Sequence, residues 1–562
     1  MLSGYKRWLE SENTDPELKK QLQEMNEQQI NDAFYTNIEF GTAGMRGIME
    51  AGSNRINIHT IRKANVGFSK YIVGNGIEAC NDGVAISYDN RYMSKEFAMD
   101  SAKILASYNI KSYVFESLRP TPELSFAVRH LNCFGGIMIT ASHNAKEYNG
   151  YKLYDDKGCQ LVPALAQQVI DNVNAIEDEL SINPVLTKNQ EKLINIIGTE
   201  IDEAYLEQVL SIRLNKDVNK DIKIVFSPEH GASNLLVQEA FKRSGYDYIL
   251  VEEQATFDPS FSGTKSPNPE NIDAYELSLE YAKKNNADLI LVCDPDGDRM
   301  GVGIKHDGEY IIMTGNQSGA VLLEYILFSR KKSGMLPANS IMFNTVVTSD
   351  LGEKVATKYG VETEKTLTGF KFIGEKVAKY EINNEKTYVF GYEESYGSLI
   401  APFVRDKDAT QACLMLAEAV AFYKEKGMDL IDVLNNLYNE HGAYDESQVA
   451  IVLSGQAGAE KIQSIIANLR ENPLTSISEL KVVAFEDYGK LERVEGGIVT
   501  NLVGFTKSEV LKYFLEDGSW VAVRPSGTEP KLKFYFCVKD NTIEACKLKA
   551  KDLQQTMNKL AD

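Results

Sequence analysis

Residues Ala287 to Ile304 read ADLILVCDPDGDRMGVGI. An almost wholly apolar, β-type run stops at Asp294. Carboxylates then follow at alternating positions, Asp294, Asp296 and Asp298, before apolar residues resume. The pattern predicts a buried strand, a polar loop at its end and a second strand. Pro295 and Gly297 favour a curl that lets the carboxylates converge. Oxygen-only, carboxylate-rich coordination suits a hard cation such as Mg²⁺. An EF-hand calcium loop is excluded, because the positions that demand Gly and Glu hold Arg299 and Lys305. A solvated acidic turn is the weaker reading of a strand that runs straight into three Asp and an Arg. Arg299 beside such a cation offers a fork that matches phosphate oxygens.

Outward from this loop, the same rhythm recurs. GVAISYDNRYMS (Gly83 to Ser94), GGIMITASHNAKEYNGYK (Gly135 to Lys152), IKIVFSPEHGAS (Ile222 to Ser233) and SIMFNTVVTSDLGEKVATKYG (Ser340 to Gly360) are strand-like runs ending in polar loops. Alternation of strand and helical segments predicts α/β architecture, with functional loops at the carboxyl ends of strands. The opening, through about residue 35, is charged and Gln-rich and reads as surface helix. AVRPSGTEPKLKFYFCV (Ala522 to Val538) reads as a hairpin. No strict repeat or low-complexity tract occurs. The polar stretch Leu180 to Lys192 and the helical residues after it, the end of the acidic loop, and a long helical stretch place boundaries near residues 205, 325 and 450, giving segments 1–205, 206–325, 326–450 and 451–562.

The 562 residues carry 60 Lys and Arg against 80 Asp and Glu, a net charge of -20. That balance disfavours a nucleic-acid partner, which calls for a basic face. It leaves room for a local basic pocket that takes an anionic small substrate. No apolar stretch approaches the length of a membrane helix, and the N-terminus lacks a signal-peptide core, so no membrane partner is expected. Seven cysteines without a CxxC pair argue against a disulfide framework or zinc site and fit a cytoplasmic setting.

Further loops carry chemistry-bearing residues. In TASHNAKEYNGYK (Thr140 to Lys152), Ser142 and His143 follow a strand. A hydroxyl there can act as nucleophile or carry a phosphoryl group, although a Ser-His pair alone reads as a capped turn. The flanks are not the GxSxG elbow of acyl transfer. Lys152 returns ten residues after Ser142, with a chain reversal expected at Asn149-Gly150, and is placed to shuttle a proton if its pKa is lowered. A solvated surface lysine is the plain alternative. FGTAGMRG (Phe40 to Gly47) joins three glycines to Arg46; a phosphate cradle and a tight glycine turn both fit. RPSGTEPKLKFY (Arg524 to Tyr535) sets Arg524, Ser526, Gly527 and Thr528 within five residues, a set suited to a phosphate dianion or to a polar hairpin tip. GYEESYGS (Gly391 to Ser398) offers Glu393 and Ser395 to sugar hydroxyls, or simply a turn after TYVF.

Taken in this order, TASHNAKEYNGYK, DPDGDR, GYEESYGS and RPSGTEPKLKFY resemble the α-D-phosphohexomutase family. FGTAGMRG, SPEHGAS and TKSPNPEN (Thr264 to Asn271) are similar to its phosphoglucomutase–phosphopentomutase branch. The resemblance implies three related α/β domains with mixed sheets and a smaller C-terminal α+β domain around a central cleft. It implies phosphate carried on Ser142, and Mg²⁺ held by Asp294, Asp296, Asp298 and a phosphoserine oxygen. Glu393 and Ser395 would grip sugar hydroxyls. Arg524, Ser526, Gly527 and Thr528 would hold the phosphate not in transfer. Arg46 and Lys152 match positions near the moving phosphoryl group, with Lys152 as general acid/base; His143 and Arg299 belong to the same catalytic set. Thr368-Gly369 and Lys407 match further sugar-contact segments. Many family members carry Pro where this chain has Ala145, so a less rigid serine loop is expected.

The expected activity is interconversion of glucose 1-phosphate and glucose 6-phosphate through phosphoserine and a bound 1,6-bisphosphate, with glucose 1,6-bisphosphate as activator. Phosphopentose and phosphomannose are the alternative substrates. A metal-dependent sugar phosphohydrolase is the competing class, and the Arg524 clamp argues against it. A non-catalytic sugar-phosphate sensor is disfavoured by the intact Ser142 and Asp triplet. A monomer or weak homodimer is expected.

Overall fold

The computed structural model describes residues 2–40, 44–453, 455–525 and 531–561. The chain forms two compact units, Met1–Gly315 with Phe370–Asp429, and Asn316–Gly369 with Leu430–Asp562.

The charged opening forms the helices Leu2–Glu10, Pro16–Glu24 and Glu27–Phe34. Asp15 and Asn26 cap the second and third by accepting from first-turn N–H groups. They are not wholly surface helices. Trp8, Leu22, Ala33 and Phe34 pack into a small core of their own, because each helix is apolar along one face.

The first sheet has the order β1-β5-β4-β2-β3-β6. Its strands are β1 (Met45–Ile48), β2 (Val84–Tyr88), β3 (Ser112–Phe115), β4 (Gly135–Ile139), β5 (Tyr148–Tyr154) and β6 (Ile194–Ile197). Strands β2 and β4 are parallel and buried throughout, as their largely apolar runs require, with Ser87 of β2 satisfied by donating to the Arg119 carbonyl. They end level, Tyr88 opposite Ile139, so the loops after them start side by side. Strand β5 returns antiparallel to β4, and β1 adds antiparallel to β5, which makes the sheet mixed.

The predicted reversal at Asn149-Gly150 is absent. Both residues lie inside β5, and the chain turns earlier, across residues 140–147. Gly150 serves close approach instead, since a Cβ there would stand 2.6 Å from the carbonyl oxygens of both Met45 and Thr140.

The second sheet runs β11-β10-β9-β7-β8, with β7 (Ile224–Ser227), β8 (Tyr248–Leu250), β9 (Leu289–Cys293), β10 (Met300–His306) and β11 (Glu309–Met313). Strand β9 is fully buried and pairs antiparallel with β10, Cys293 opposite Met300. The acidic loop is therefore the connection of a hairpin, as the strand-loop-strand reading predicts.

Strands β12 (Ser340–Thr345) and β13 (Glu362–Thr366) pair in parallel within the second unit. Strands β14 (Thr387–Tyr392) and β15 (Ser398–Leu399) pair antiparallel within the first. The C-terminal sheet follows: β16 (Ala443–Val452), β17 (Ser476–Ile477), β18 (Leu480–Asp487), β19 (Glu492–Glu495), β20 (Ile498–Asn501), β21 (Leu511–Leu515), β22 (Trp520–Pro525) and β23 (Lys531–Asp540). Its order is β16-β23-β22-β21-β18-β19-β20, with β17 on β18, and the described pairs are antiparallel. Residues of the helix Ile543–Asn558, including Cys546 and Leu553, share the sheet's apolar core. The hairpin predicted at Ala522 to Val538 corresponds to β22 and β23.

All seven cysteines are free and buried. Among the described residues, no helix is long and apolar enough to cross a membrane.

Candidate active site

Two loop ends meet in the first unit. Ser142 leaves the carboxyl end of β4 with φ +51, a left-handed conformation that L-residues adopt at a cost. Its N–H donates to Thr140 Oγ1 at 2.8 Å. Its Oγ donates to Asp294 Oδ2 at 3.0 Å and lies 3.2 Å from His143 Nδ1. The serine is 3% exposed. Burial, then the charges of Arg299 and Arg46, push the His143 pKa well below the ordinary histidine value, so its imidazole is neutral beside the hydroxyl.

The acidic loop curls as expected. Asp294 Oδ1 accepts from the N–H groups of Asp298 and Arg299, at 3.1 and 3.0 Å. Gly297 takes φ +66. Thr121, at the start of the helix Thr121–His130, donates its N–H to the Asp296 carbonyl and its hydroxyl to Asp296 Oδ2. The three aspartates are buried, and one carboxylate oxygen from each lies within 4.8 Å of the others.

Cations surround this cluster. Lys152 Nζ donates to Asp296 Oδ2 at 2.7 Å and stands 3.8 Å from Asp298 Oδ2. Lys407 Nζ lies 3.1 Å from Asp298 Oδ2 and donates to Asp406 Oδ1 at 2.9 Å. Arg299 donates to Glu270 at 2.8 Å, with its Nε 3.7 Å from Asp298 Oδ1. Burial opposes the charges of Lys407 and Arg299, but acidic neighbours outweigh it and hold both pKa values above their ordinary ones. The two linked aspartates part in the same field. Burial, then Asp296 and Asp298, drive Asp294 well above the carboxylate range, whereas for Asp296 the attraction of Lys152 overcomes burial and holds it below.

The residues fit a hard divalent cation. Asp296 Oδ1 and Asp298 Oδ1 are buried and accept no hydrogen bond, and an all-oxygen donor set is what such an ion takes. Arg46, on β1, donates to Asn144 Oδ1 at 2.9 Å. Burial, the largest influence, lowers its pKa, and Asp296 pulls the other way.

Glu393 is buried at the end of β14, and its N–H donates to the Gly397 carbonyl at 2.9 Å across a turn that carries the half-buried Ser395. That turn is tied to the acidic hairpin, since the N–H of Met300 donates to the Tyr396 carbonyl. Ser142, His143, Lys152, Arg46, Arg299, Glu393, Ser395, Lys407 and the Asp triplet thus all belong to one unit. Thr368, Gly369 and Arg524 belong to the second. Thr368 Oγ1 is buried without a hydrogen-bond partner, Gly369 has φ +116, and Arg524 is half-buried on β22 opposite Lys533. Ser526, Gly527 and Thr528 lie outside the described residues.

Three supporting residues escape a motif reading: Asp89, Arg91 and Asp406. The only sequence signal is their place in a loop that follows, or lies beside, a strand. Thr121, the first residue of the helix Thr121–His130, is likewise invisible without the fold.

The chain matches four family models in order. Residues 37–180 match phosphoglucomutase/phosphomannomutase alpha/beta/alpha domain I, 203–308 domain II, 314–441 domain III and 468–547 the C-terminal domain. The chain therefore belongs to the phosphoglucomutase/phosphomannomutase family, α-D-phosphohexomutases of four-domain α/β architecture. A phosphoglucomutase of Staphylococcus epidermidis is 38% identical over 506 residues, 89% of this chain and 90% of the relative. One from Staphylococcus aureus is 35% identical over 535 residues, 95% of each chain. The fold is also similar to that of parafusin, a phosphoglucomutase from Paramecium, with TM-score 0.66 at 19% identity, over 92% of this chain and 95% of the other.

Proposed function

We propose that this protein is a phosphoglucomutase, an enzyme of carbohydrate metabolism that interconverts glucose 1-phosphate and glucose 6-phosphate. The observation that carries the reading is the 3.0 Å contact between Ser142 Oγ and an aspartate of a buried carboxylate triplet. A hydroxyl so placed can carry a phosphoryl group beside a cation. Relatives named phosphoglucomutase at 38% and 35% identity support the choice of hexose.

In this reading Asp294, Asp296, Asp298 and an oxygen on Ser142 hold Mg²⁺. When bound, the ion neutralises charge on the phosphoryl group in transfer. The chain's own residues do the rest. Ser142 Oγ gives up its phosphoryl group to the free hydroxyl of a hexose monophosphate, and the P–O bond to Ser142 breaks as the new one forms. The bound 1,6-bisphosphate then turns over and returns its other phosphate to Ser142. Lys152 acts as general acid/base. Arg46, Arg299 and the neutral His143 orient and stabilise the oxygens in transfer. Glu393, Ser395, Lys407, Thr368 and Gly369 hold the sugar. Arg524 with Ser526, Gly527 and Thr528 holds the phosphate at rest, which lets either end of the sugar be presented. Glucose 1,6-bisphosphate, by the same chemistry, recharges a dephosphorylated Ser142 and serves as activator. The four domains of this reading run over residues 1–205, 206–325, 326–450 and 451–562, and the protein works in the cytoplasm as a monomer or weak homodimer.

The test is an intact-mass measurement joined to a coupled glucose 1-phosphate assay, with and without glucose 1,6-bisphosphate. The expected result is one phosphoryl group on Ser142 and turnover stimulated by the bisphosphate. Greater efficiency on ribose 1-phosphate or mannose 1-phosphate reassigns the substrate. Free phosphate released as fast as substrate is lost makes the protein a hydrolase.

A further inference from the structure

Arg91 lies just beyond β2, in SYDNRYMS, and the chemistry above gives it no part. We infer that Arg91 is a positioning residue that sets the main-chain shape of the serine loop and thereby aims Ser142 Oγ at the carboxylates. The inference rests on the phosphoryl-transfer reading for its kinetic consequence, though not for its geometry.

An arginine side chain has five N–H donors, and here all are engaged. Nε donates to Asp89 Oδ2 at 3.1 Å. Nη1 donates to the carbonyl oxygens of Ala145 and Tyr148, at 2.8 and 2.9 Å. Nη2 donates to those of Ser142 and Asn144, at 2.5 and 2.6 Å. Four main-chain carbonyls of one loop thus converge on a single guanidinium. Without that centre the carbonyls of Ser142, Asn144 and Tyr148 would lose their donor, whereas that of Ala145 would keep the Tyr148 N–H at 3.0 Å; backbone acceptors removed from water need a donor.

The guanidinium is itself held firmly. Arg91 is 2% exposed and Asp89 1%. Asp89 Oδ1 accepts from the Arg91 N–H at 3.0 Å and from Ser94 Oγ at 2.8 Å. The Asp89 N–H donates to the Ile139 carbonyl, so the Asp-Arg pair is anchored to the end of the strand that launches the serine loop. The Phe261 ring lies over the guanidinium with its centroid 5.1 Å away. A buried charge is tolerated only with such complete pairing.

The loop needs this support. Ser142 sits at φ +51, and Ala145 is exposed and lacks the φ restraint that proline would bring. Two of the four captured carbonyls, those of Ser142 and Asn144, bracket His143. A lysine cannot take the place of Arg91, because its three donors radiate from one nitrogen and cannot span four separated carbonyls.

The experiment compares wild type, Arg91→Lys and the double variant Arg91→Lys/Ala145→Pro. It reads steady-state kinetics with glucose 1-phosphate and hydrogen exchange of a peptide covering residues 141–148. Arg91→Lys is expected to lower kcat on the order of 100-fold, the scale of a 1 Å misplacement of a reacting group, with KM changed by less than about threefold. Exchange should quicken across 141–148 and stay unchanged elsewhere. The added proline, which restrains the loop by another route, should restore at least about tenfold of the lost kcat. Wild-type kcat in Arg91→Lys overturns the inference, as does unchanged exchange across 141–148. So does a loss of exchange protection, or of folding, throughout the protein in both variants, which makes Arg91 a general stabiliser. A wild type inert toward glucose 1-phosphate defeats the functional reading instead, and the exchange comparison still judges Arg91.

Discussion

Ser142 and Asp294 are 152 positions apart in the chain, yet Ser142 Oγ donates to Asp294 Oδ2 at 3.0 Å. Asp294 stands directly beyond the buried strand β9, and Ser142 three residues beyond the buried strand β4. Their contact joins the loop of one sheet to the hairpin of another, and the lysines and arginines around it gather where these two loops meet.

Ser142→Ala is expected to abolish hexose phosphate interconversion and the mass increment of one phosphoryl group. The fold should stay intact, with stability lowered by about 1–3 kcal/mol, because the buried hydrogen bond to Asp294 Oδ2 is lost. The check is intact mass with the coupled assay, and substantial residual turnover contradicts the assignment.

Asp296→Asn removes the charge that Lys152 faces at 2.7 Å and replaces one carboxylate oxygen of the triplet by an amide nitrogen. Turnover should fall about 100- to 1000-fold, equivalent to the several kcal/mol that a bound cation supplies. Chelator should silence the wild type and leave the variant's residue of activity nearly unchanged. Full activity of wild type in chelator counts against a metal at the triplet.

Gly297→Ala tests the curl of the acidic loop. With φ +66, a Cβ at this position would lie 2.7 Å from Pro120 Cβ and 3.2 Å from Ser233 Cβ. Strain of that kind costs about 1–3 kcal/mol. Both the unfolding midpoint and the turnover should drop, because the residue lies between Asp296 and Asp298. A variant as stable and as active as wild type refutes the account of the loop.

Lys512 links stability to pH in the second unit. It is 2% exposed, donates to the Val346 carbonyl at 2.8 Å and lies 3.9 Å from the centre of the Trp520 ring. Burial, then the charge of Lys365, depress its pKa to about 8 against the pull of Asp350 and Glu486. An unfolded lysine titrates near 10.4. Between about pH 8 and 10.4 the unfolded chain therefore keeps a proton that the folded chain has released, so this residue makes stability rise with pH. Lys512→Met should flatten that rise. The chain has two tryptophans, so a Trp8→Phe background leaves Trp520 as the reporter in denaturant titrations at several pH values. Identical pH slopes with and without Lys512 refute the linkage.

Much of this was legible in residue order. The apolar runs of β4 and β9 announce buried strands, because a strand covered on both faces must be apolar throughout. The breaks at Thr140 and Asp294 announce the loops, and the donor types within those loops are ones that suit phosphate and a hard cation. Asn149-Gly150 was misread for a physical reason. The pair favours a turn in isolation, but here Asn149 donates to the Tyr92 carbonyl and Ser94 Oγ, and Gly150 makes room for two neighbouring carbonyls. The opening helices were misread in part, since their apolar faces meet only each other and a few later residues. Arg91 was silent, because a guanidinium that binds main-chain carbonyls leaves no side-chain pattern at the positions it holds.

By itself the sequence determined the kinds of chemistry present and the strand ends on which they sit, since periodicity and donor type are local properties. Only the tertiary structure decided which of those ends face one another, which lysine neutralises which aspartate and which arginine shapes the serine loop. These are contacts between residues as much as 175 apart, and they arise when sheets and helices bury their shared apolar surface, an energy that no short stretch of chain contains.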